Sequence, residues 1–260
     1  MTETKKNSNS NRSEAFAIKL ADKTIRIEPI FGEIRDYCKD YITNEEPDFV
    51  VRTEEEDIIY EREKYIKEAE REENVEYCYS DAYLETLAVY RQIAEHLLMY
   101  GILLFHGSVI AVDGSGYLFT AKSGTGKSTH TRLWREYFGE RATMINDDKP
   151  LLKVTEDGVY AYGTPWNGKH RLSTNTSAPL EAICILTRAN ENYIEEISPK
   201  EAYQMLLQQT YRSRDNRGMI QTLQLIDEIM KKVKFYRLGC NREIEAAKVA
   251  FEGMIKKKEN

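Results

Sequence analysis

The chain has 260 residues, 41% of them hydrophobic and 31% charged, with a net charge of −6. That balance describes a soluble globular protein, long enough for one large domain or a domain with a smaller lobe. The acidic excess excludes a basic field for nucleic acid, and apolar runs such as ICIL and GILLF are far too short to span a bilayer.

The first residues, MTETKKNSNSNRSEA, have no apolar signal region, and 1–13 are expected to form a disordered tail. Residues 15–30 alternate in two segments around Ala21-Asp22-Lys23, which predicts a hairpin. FGEIRDYCKDYI has the spacing of a short amphipathic helix, and FVVRTEEEDIIYERE reads as strand, acidic turn, strand. Residues 14–80 are therefore expected to form an N-terminal α+β lobe, and 81–260 a second domain that carries the glycine loop described below. The segment DAYLETLAVYRQIAEHLLMYG predicts a helix with Tyr83, Leu87, Tyr90, Ala94 and Leu97 on one face. Asp81 is its expected N-cap and Gly101 its terminator.

From there the pattern turns to strands. ILLFHGSVIAV, then the turn Asp113-Gly114-Ser115-Gly116, then YLFTA lead into a glycine loop followed by the helical LWREYFG. ATMIND, KPLLKVT, VYAYG, LEAICILTRA and KFYRLG predict further strands. EAYQMLLQQTY, RGMIQTLQLIDEIMKKV and REIEAAKVAFEGMIKKK predict helices. Strands interleaved with helices give an α/β fold class with a mixed sheet. Cysteines 38, 78, 184 and 240 show no C-x-x-C spacing, so reduced thiols in a cytoplasmic protein are expected.

The glycine loop AKSGTGKST, Ala121 to Thr129, matches G-x-x-x-x-G-K-[ST] except for its first residue. Gly124 and Gly126 let backbone N–H groups turn inward toward a polyphosphate. Lys127 at the helix start can reach the β/γ-phosphates, Ser128 can hold Mg²⁺, and the helix dipole points at the anion. Lys122, Ser123, Thr125 and Thr129 complete the nucleotide-binding set, and Ala121 sits at the strand-to-loop junction. A kinase also needs a metal carboxylate and a base. Asp147 and Asp148 end a predicted strand, where adjacent side chains either point to opposite faces or project together from a distorted end. A plain Asp-Asp turn reads equally well from turn chemistry. His106, in FHGSV, is a core histidine or a site residue; His96 and His130 have weaker claims.

The order LLFHGSVIAVDGSGYLFTAKSGTGKST followed by INDDKPLL resembles the HPr kinase/phosphorylase catalytic domain and, more distantly, the phosphoenolpyruvate carboxykinase fold. The resemblance covers about residues 100–150 well and 80–250 loosely. It is closest to small HPr-kinase-like proteins, some of which phosphorylate peptides in bacterial peptide-modification clusters. It implies that Lys127 binds phosphate, Ser128 magnesium, and that Asp148 accepts the substrate proton with Asp147 and His106 beside it. The glycine-rich signature that follows the acidic pair in true HPr kinases is missing, so HPr is not implied as the acceptor. GTPWNGK looks like a recurrent element of the small relatives.

Within GTPWNGKHRLS, Lys169, His170 and Arg171 could clamp phosphate and Trp166 wall an acceptor pocket; a surface loop with one buried tryptophan fits equally. Arg212, Arg214 and Arg217 in TYRSRDNRG read as a solvated linker. These features predict an ATP-dependent kinase, using ATP or another nucleoside triphosphate and Mg²⁺, with a peptide, protein or small-molecule hydroxyl as acceptor. No nucleic acid or membrane partner is expected, and the resemblance allows an oligomer. Two other readings are a nucleotide-binding regulator, with 14–80 as its interaction surface, and a carboxykinase-like enzyme.

Overall fold

The computed structural model describes residues 12–71, 79–122 and 124–255. Most of the expected tail (1–11), Cys78 and Ser123 lie outside the described residues. The protein is mixed α/β with two sheets, and it divides into two compact units, residues 1–96 and 97–260. The division falls at the C-terminal end of the long helix, which is thus counted with the first unit, whereas the sequence expectation opens the second domain at residue 81. Among the described residues no helix is long and apolar enough to cross a membrane.

In the first unit, β1 (Phe16–Leu20) and β2 (Lys23–Glu28) form the expected hairpin. Its two-residue turn, Ala21-Asp22, has both φ angles positive, as the twist of a tight hairpin demands. After the short helix α1 (Glu33–Tyr37), β3 (Ile42–Thr43) pairs with β1 and β4 (Phe49–Arg52) pairs with β2, giving the order β3-β1-β2-β4. The expected strand after β4 is instead the helix α2 (Glu55–Arg71). Glu55, Glu56 and Asp57 favour its positive N-terminal end, and Ile58 and Glu61 face inward while Ile59 is exposed. Helix α3 (Asp81–Leu97) has Ser80 as its cap: the Ser80 hydroxyl accepts from Tyr83 N–H at 3.2 Å. Asp81, the expected cap, pairs instead with Arg62. The buried Glu85 carboxylate accepts from the backbone N–H groups of Ile30 and Phe31 at 2.6 and 2.9 Å, tying α3 to the chain that follows β2.

The second unit carries β5 (Ile102–Leu104), β6 (Ser108–Val112), β7 (Ser115–Thr120), α4 (Lys127–Phe138) and β8 (Ala142–Asn146). Then come β9 (Leu151–Val154), β10 (Val159–Tyr162), β11 (Ser177–Arg188), β12 (Tyr193–Glu196), α5 (Pro199–Gln209), α6 (Asn216–Lys232), β13 (Lys234–Cys240) and α7 (Glu245–Ile255). Apart from β12, a short exposed strand, and the division of ILLFHGSVIAV into β5 and β6, each of these was expected as an element. Strand β11 is the spine. It pairs with β10 over its first residues, then in parallel with β7 and with β13. Strand β6 is antiparallel to both β7 and β8, so β7, β8, β11 and β13 all run in one direction.

Both faces of this sheet are covered. Ile110, Val112, Tyr117, Phe119, Ala182 and Cys184 pack with α4 and α7, while Val109, Ala111, Leu118 and Ile183 pack with α5 and α6. That is why the strands read as continuous apolar runs (VIAV, YLF, AICIL) and not as alternating ones. Trp134 on α4 is fully buried among Tyr117, Phe119, Phe138 and Phe251. Its replacement by alanine is expected to cost about 3–5 kcal/mol of stability, measured by urea denaturation.

Candidate active site

The glycine loop lies between β7 and α4, as the sequence order requires. Gly124 (φ +73°) and Gly126 (φ +126°) take a backbone conformation that residues with a Cβ rarely adopt. No side chain caps the start of α4, so its N-terminal dipole faces the space above the loop. Lys127 folds back to donate from Nζ to the Ala121 carbonyl at 3.3 Å. Burial pushes its pKa down, with Asp148 and Asp147 pulling the other way. Ala121 itself is buried, its methyl packed in the apolar cluster around Trp134. Lys122 and Gly124 are exposed, and Thr125, Ser128 and Thr129 half-buried.

The acidic pair ends β8 in a turn built by Asn146. This fully buried amide accepts at Oδ1 from the N–H groups of Asp148 (2.8 Å) and Lys149 (2.7 Å). Its Nδ2 donates to the Thr164 carbonyl and hydroxyl at 3.1 and 3.0 Å. The two carboxylates then separate. Asp147 turns inward, with the Ser108 hydroxyl 3.0 Å and the Thr131 hydroxyl 3.4 Å from Oδ1, and a hydrogen bond from Ser128. Asp148 turns to His106, whose Nε2 lies 3.4 Å from its Oδ1.

Their acidities diverge accordingly. Burial raises the pKa of Asp147, against the hydrogen bonds from Ser128 and Ser108 and the nearby His170. Burial acts the same way on Asp148, but the His106 hydrogen bond and the fields of Lys149, His106 and Lys127 together hold it below the usual aspartate value. Adjacent carboxyls with opposed shifts are the arrangement expected where two acids have different tasks.

His106 reaches this position because the expected long strand ILLFHGSVIAV is broken. Three successive N–H groups go to three partners: Phe105 to Pro150, His106 to Gln209 and Gly107 to Asp148. At Gly107 a Cβ would stand 2.9 Å from Leu118 Cδ2 and 3.0 Å from the Phe119 carbonyl, so the chain must pass there without a side chain. Gln209, at the end of α5, also places Oε1 3.1 Å from His106 Nδ1. The Thr120 hydroxyl donates to the His106 carbonyl at 3.0 Å, linking the break to the end of β7.

The GTPWNGK segment folds against the same turn. Gly163 permits an approach in which a Cβ would lie 2.0 Å from the Thr174 carbonyl, and Gly168, with φ +71°, backs onto Asp148. Trp166 is 2% exposed, a core residue whose carbonyl accepts from Asn146. Lys169, His170 and Arg171 are exposed, and His170 lowers the pKa of Asp147. Arg212, Arg214 and Arg217 are exposed around the Asp215 cap of α6, while His96 belongs to the first unit and stacks on Phe49.

Among the described residues no three His, Cys, Asp or Glu side chains cluster as a metal cage. Magnesium commonly takes one or two protein oxygens and leaves its other positions to phosphate and water. The Ser128 hydroxyl hydrogen-bonded to Asp147 is a donor set of that kind, so these residues fit the ion. Asn146, Thr164, Gln209 and Ser108 carry no motif in the sequence. Only their polar character inside apolar or turn-forming stretches marks them out.

A family model described as SynChlorMet cassette protein ScmC matches residues 79–242. The chain belongs to the ScmC family. The matched span opens just before α3 and ends just after β13, so it includes the glycine loop, the acidic pair and GTPWNGK. No curated protein matches the chain. Among solved structures, the Hpr(Ser) kinase/phosphatase from Coxiella burnetii aligns at 10% identity with a TM-score of 0.35, covering 59% of this chain and 91% of that one.

Asn146→Ala would leave two backbone N–H groups and the Thr164 oxygens without their partner; each unmet group costs about 1–3 kcal/mol. The expected result is a clear drop in Tm together with disorder of the 146–149 turn, read by hydrogen exchange. Asp147 binds its proton more tightly in the folded chain than in the unfolded one. Its contribution to stability is therefore present below about pH 3.9, the ordinary aspartate value, and is lost as pH rises through the raised folded value. In metal-free protein Asp147→Asn should raise Tm at pH 7, with the gain shrinking as pH falls through the raised folded value and gone below about pH 3.9.

Proposed function

We propose that the second unit is an HPr-kinase-like phosphotransferase that uses ATP, or another nucleoside triphosphate, and magnesium to phosphorylate a hydroxyl group. The observation that carries this reading is the convergence of Lys127, Ser128 and two differently tuned carboxylates, Asp147 and Asp148, around an uncapped glycine loop. A binding module needs the loop and one metal carboxylate. It has no use for a second, half-buried carboxylate held ionised beside a histidine.

Lys127 would leave the Ala121 carbonyl and donate to the terminal phosphate oxygens. Ser128 and Asp147 would hold magnesium, which supplies charge neutralisation of those oxygens when bound. Asp148 would accept the proton of the acceptor hydroxyl as its oxygen bonds to phosphorus and the bond to the leaving diphosphate breaks. A carboxylate of lowered pKa is a weak base, so its chief contribution is orientation of the hydroxyl, with full proton transfer late in the reaction. His106, steadied by Gln209, would fix the Asp148 rotamer. The exposed Lys169, His170 and Arg171 follow Gly168, which packs against Asp148, and would meet the acceptor as it enters. Membership of a family described as a cassette protein supports an acceptor made by neighbouring members of the cassette, and the sequence resemblance to small kinases of peptide-modification clusters favours a peptide.

With labelled ATP and the products of neighbouring cassette genes as candidate acceptors, Lys127→Ala should lose both nucleotide binding and transfer. Asp148→Asn should retain nucleotide affinity while transfer falls by about 10²–10⁴-fold. Full transfer by the Asp148→Asn protein would remove that residue as the base.

A further inference from the structure

The glycine loop sits in the middle of the sheet edge, and the catalytic groups occupy only one side of it. Asp147, Asp148 and His106 belong to β8 and the start of β6. On the other side the loop borders a cavity of about 420 Å³, closed by Leu186 and Arg188 at the end of β11 and by Cys240 and Arg242 at the end of β13. This space lies beyond the carboxyl ends of three parallel strands, where open α/β sheets receive ligands. With strands spaced about 4.8 Å apart, β13 and β8 each stand about 10 Å from β7, on opposite sides. A donor whose phosphates lie over the loop and point toward Asp148 must place its other end here.

The lining carries its own sign of a ligand. His130, on the first turn of α4, is 2% exposed and is among the residues bordering the cavity. Trp134 Nε1–H donates to its Nε2 at 2.9 Å. The indole can only donate, so Nε2 is the acceptor and the ring proton of the neutral imidazole is on Nδ1. Nδ1 is buried and has no partner within the protein. A buried N–H without an acceptor is costly, and an acceptor arriving with a ligand would satisfy it. Arg188 ties this wall to the loop, donating from Nη2 to the Gly124 carbonyl at 2.7 Å and from Nε to the Thr125 carbonyl at 3.5 Å.

We propose that this cavity binds the nucleoside end of the phosphoryl donor, so that the enzyme selects a nucleoside triphosphate over inorganic phosphoanhydrides. The inference rests on the kinase reading and extends it to the donor. The size suits a base and sugar. Leu186, Ala189 and Cys240 give an apolar wall, the exposed Arg242 guanidinium can lie flat on an aromatic base, and His130 offers a neutral donor to a base or ribose acceptor.

The test is calorimetric titration of the full chain, in magnesium, with ATP and with inorganic triphosphate. Wild type should bind ATP at least about tenfold more tightly, a difference of about 1.4 kcal/mol. Cys240→Trp, which fills the cavity, and Arg242→Ala, an exposed change that leaves folding intact, should each weaken ATP without altering triphosphate affinity. Lys127→Ala should weaken both ligands. Equal wild-type affinity for the two ligands, or wild-type ATP binding by both cavity variants while Lys127→Ala loses it, would overturn the nucleoside site and leave the loop's role standing. Binding of neither ligand by wild type would overturn the kinase reading and this inference with it.

Discussion

The common direction of β7, β8, β11 and β13 is the constraint from which the site follows. Parallel strands bring their C-terminal ends to one edge, so the glycine loop, the acidic turn and the ends of β11 and β13 all open there. The reversed strand β6, between β7 and β8, brings its N-terminal end to the same edge and His106 with it. This arrangement requires crossovers, and the crossovers put helices on both faces. Strands buried on both faces must be apolar throughout, and that leaves chemistry to the loops at the edge.

At that edge the polar groups are held by hydrogen bonds of long sequence separation. Asn146 joins the acidic turn to Thr164, Gln209 meets His106 from another helix, and Ser108 reaches Asp147 from β6. In a low-dielectric interior each of these bonds is stronger than in water, and each unmet partner more costly. The network therefore fixes rotamers as well as stability. It also accounts for the different behaviour of two neighbouring aspartates. Hydroxyls that donate to Asp147 do not fully offset its burial, whereas a histidine and two lysines around Asp148 do.

Where sequence reasoning failed, the competing term can be named. TEEEDIIYERE was expected to turn and form a strand, and it contains the adjacent β-branched pair Ile58-Ile59. Tertiary packing takes only Ile58 and leaves Ile59 in solvent, and the preceding carboxylates favour a helix start. ILLFHGSVIAV has strand composition throughout, yet it breaks at Phe105–Gly107 because β5 pairs with β9 while β6 pairs with β7 and β8. Strand β12, YIEE, is polar and largely exposed at an edge, so it has no apolar pattern to detect. Trp166 was open to two readings from sequence; its place in the core follows from the folding of GTPWNGK against β8.

What the sequence by itself determined is everything with a local cause. The Ala21-Asp22 hairpin, the helices with a 3.6-residue apolar stripe, and the strand–glycine loop–helix unit with Lys127 and Ser128 are written in adjacent residues. The variant first position of the loop is also explained locally: Ala121 contributes a methyl to the core and only its carbonyl to Lys127. Tertiary structure alone decided which way each aspartate faces, what holds His106, and that a cavity lies on the far side of the loop. Those properties depend on contacts between residues far apart in the chain, and no short window of sequence contains both partners.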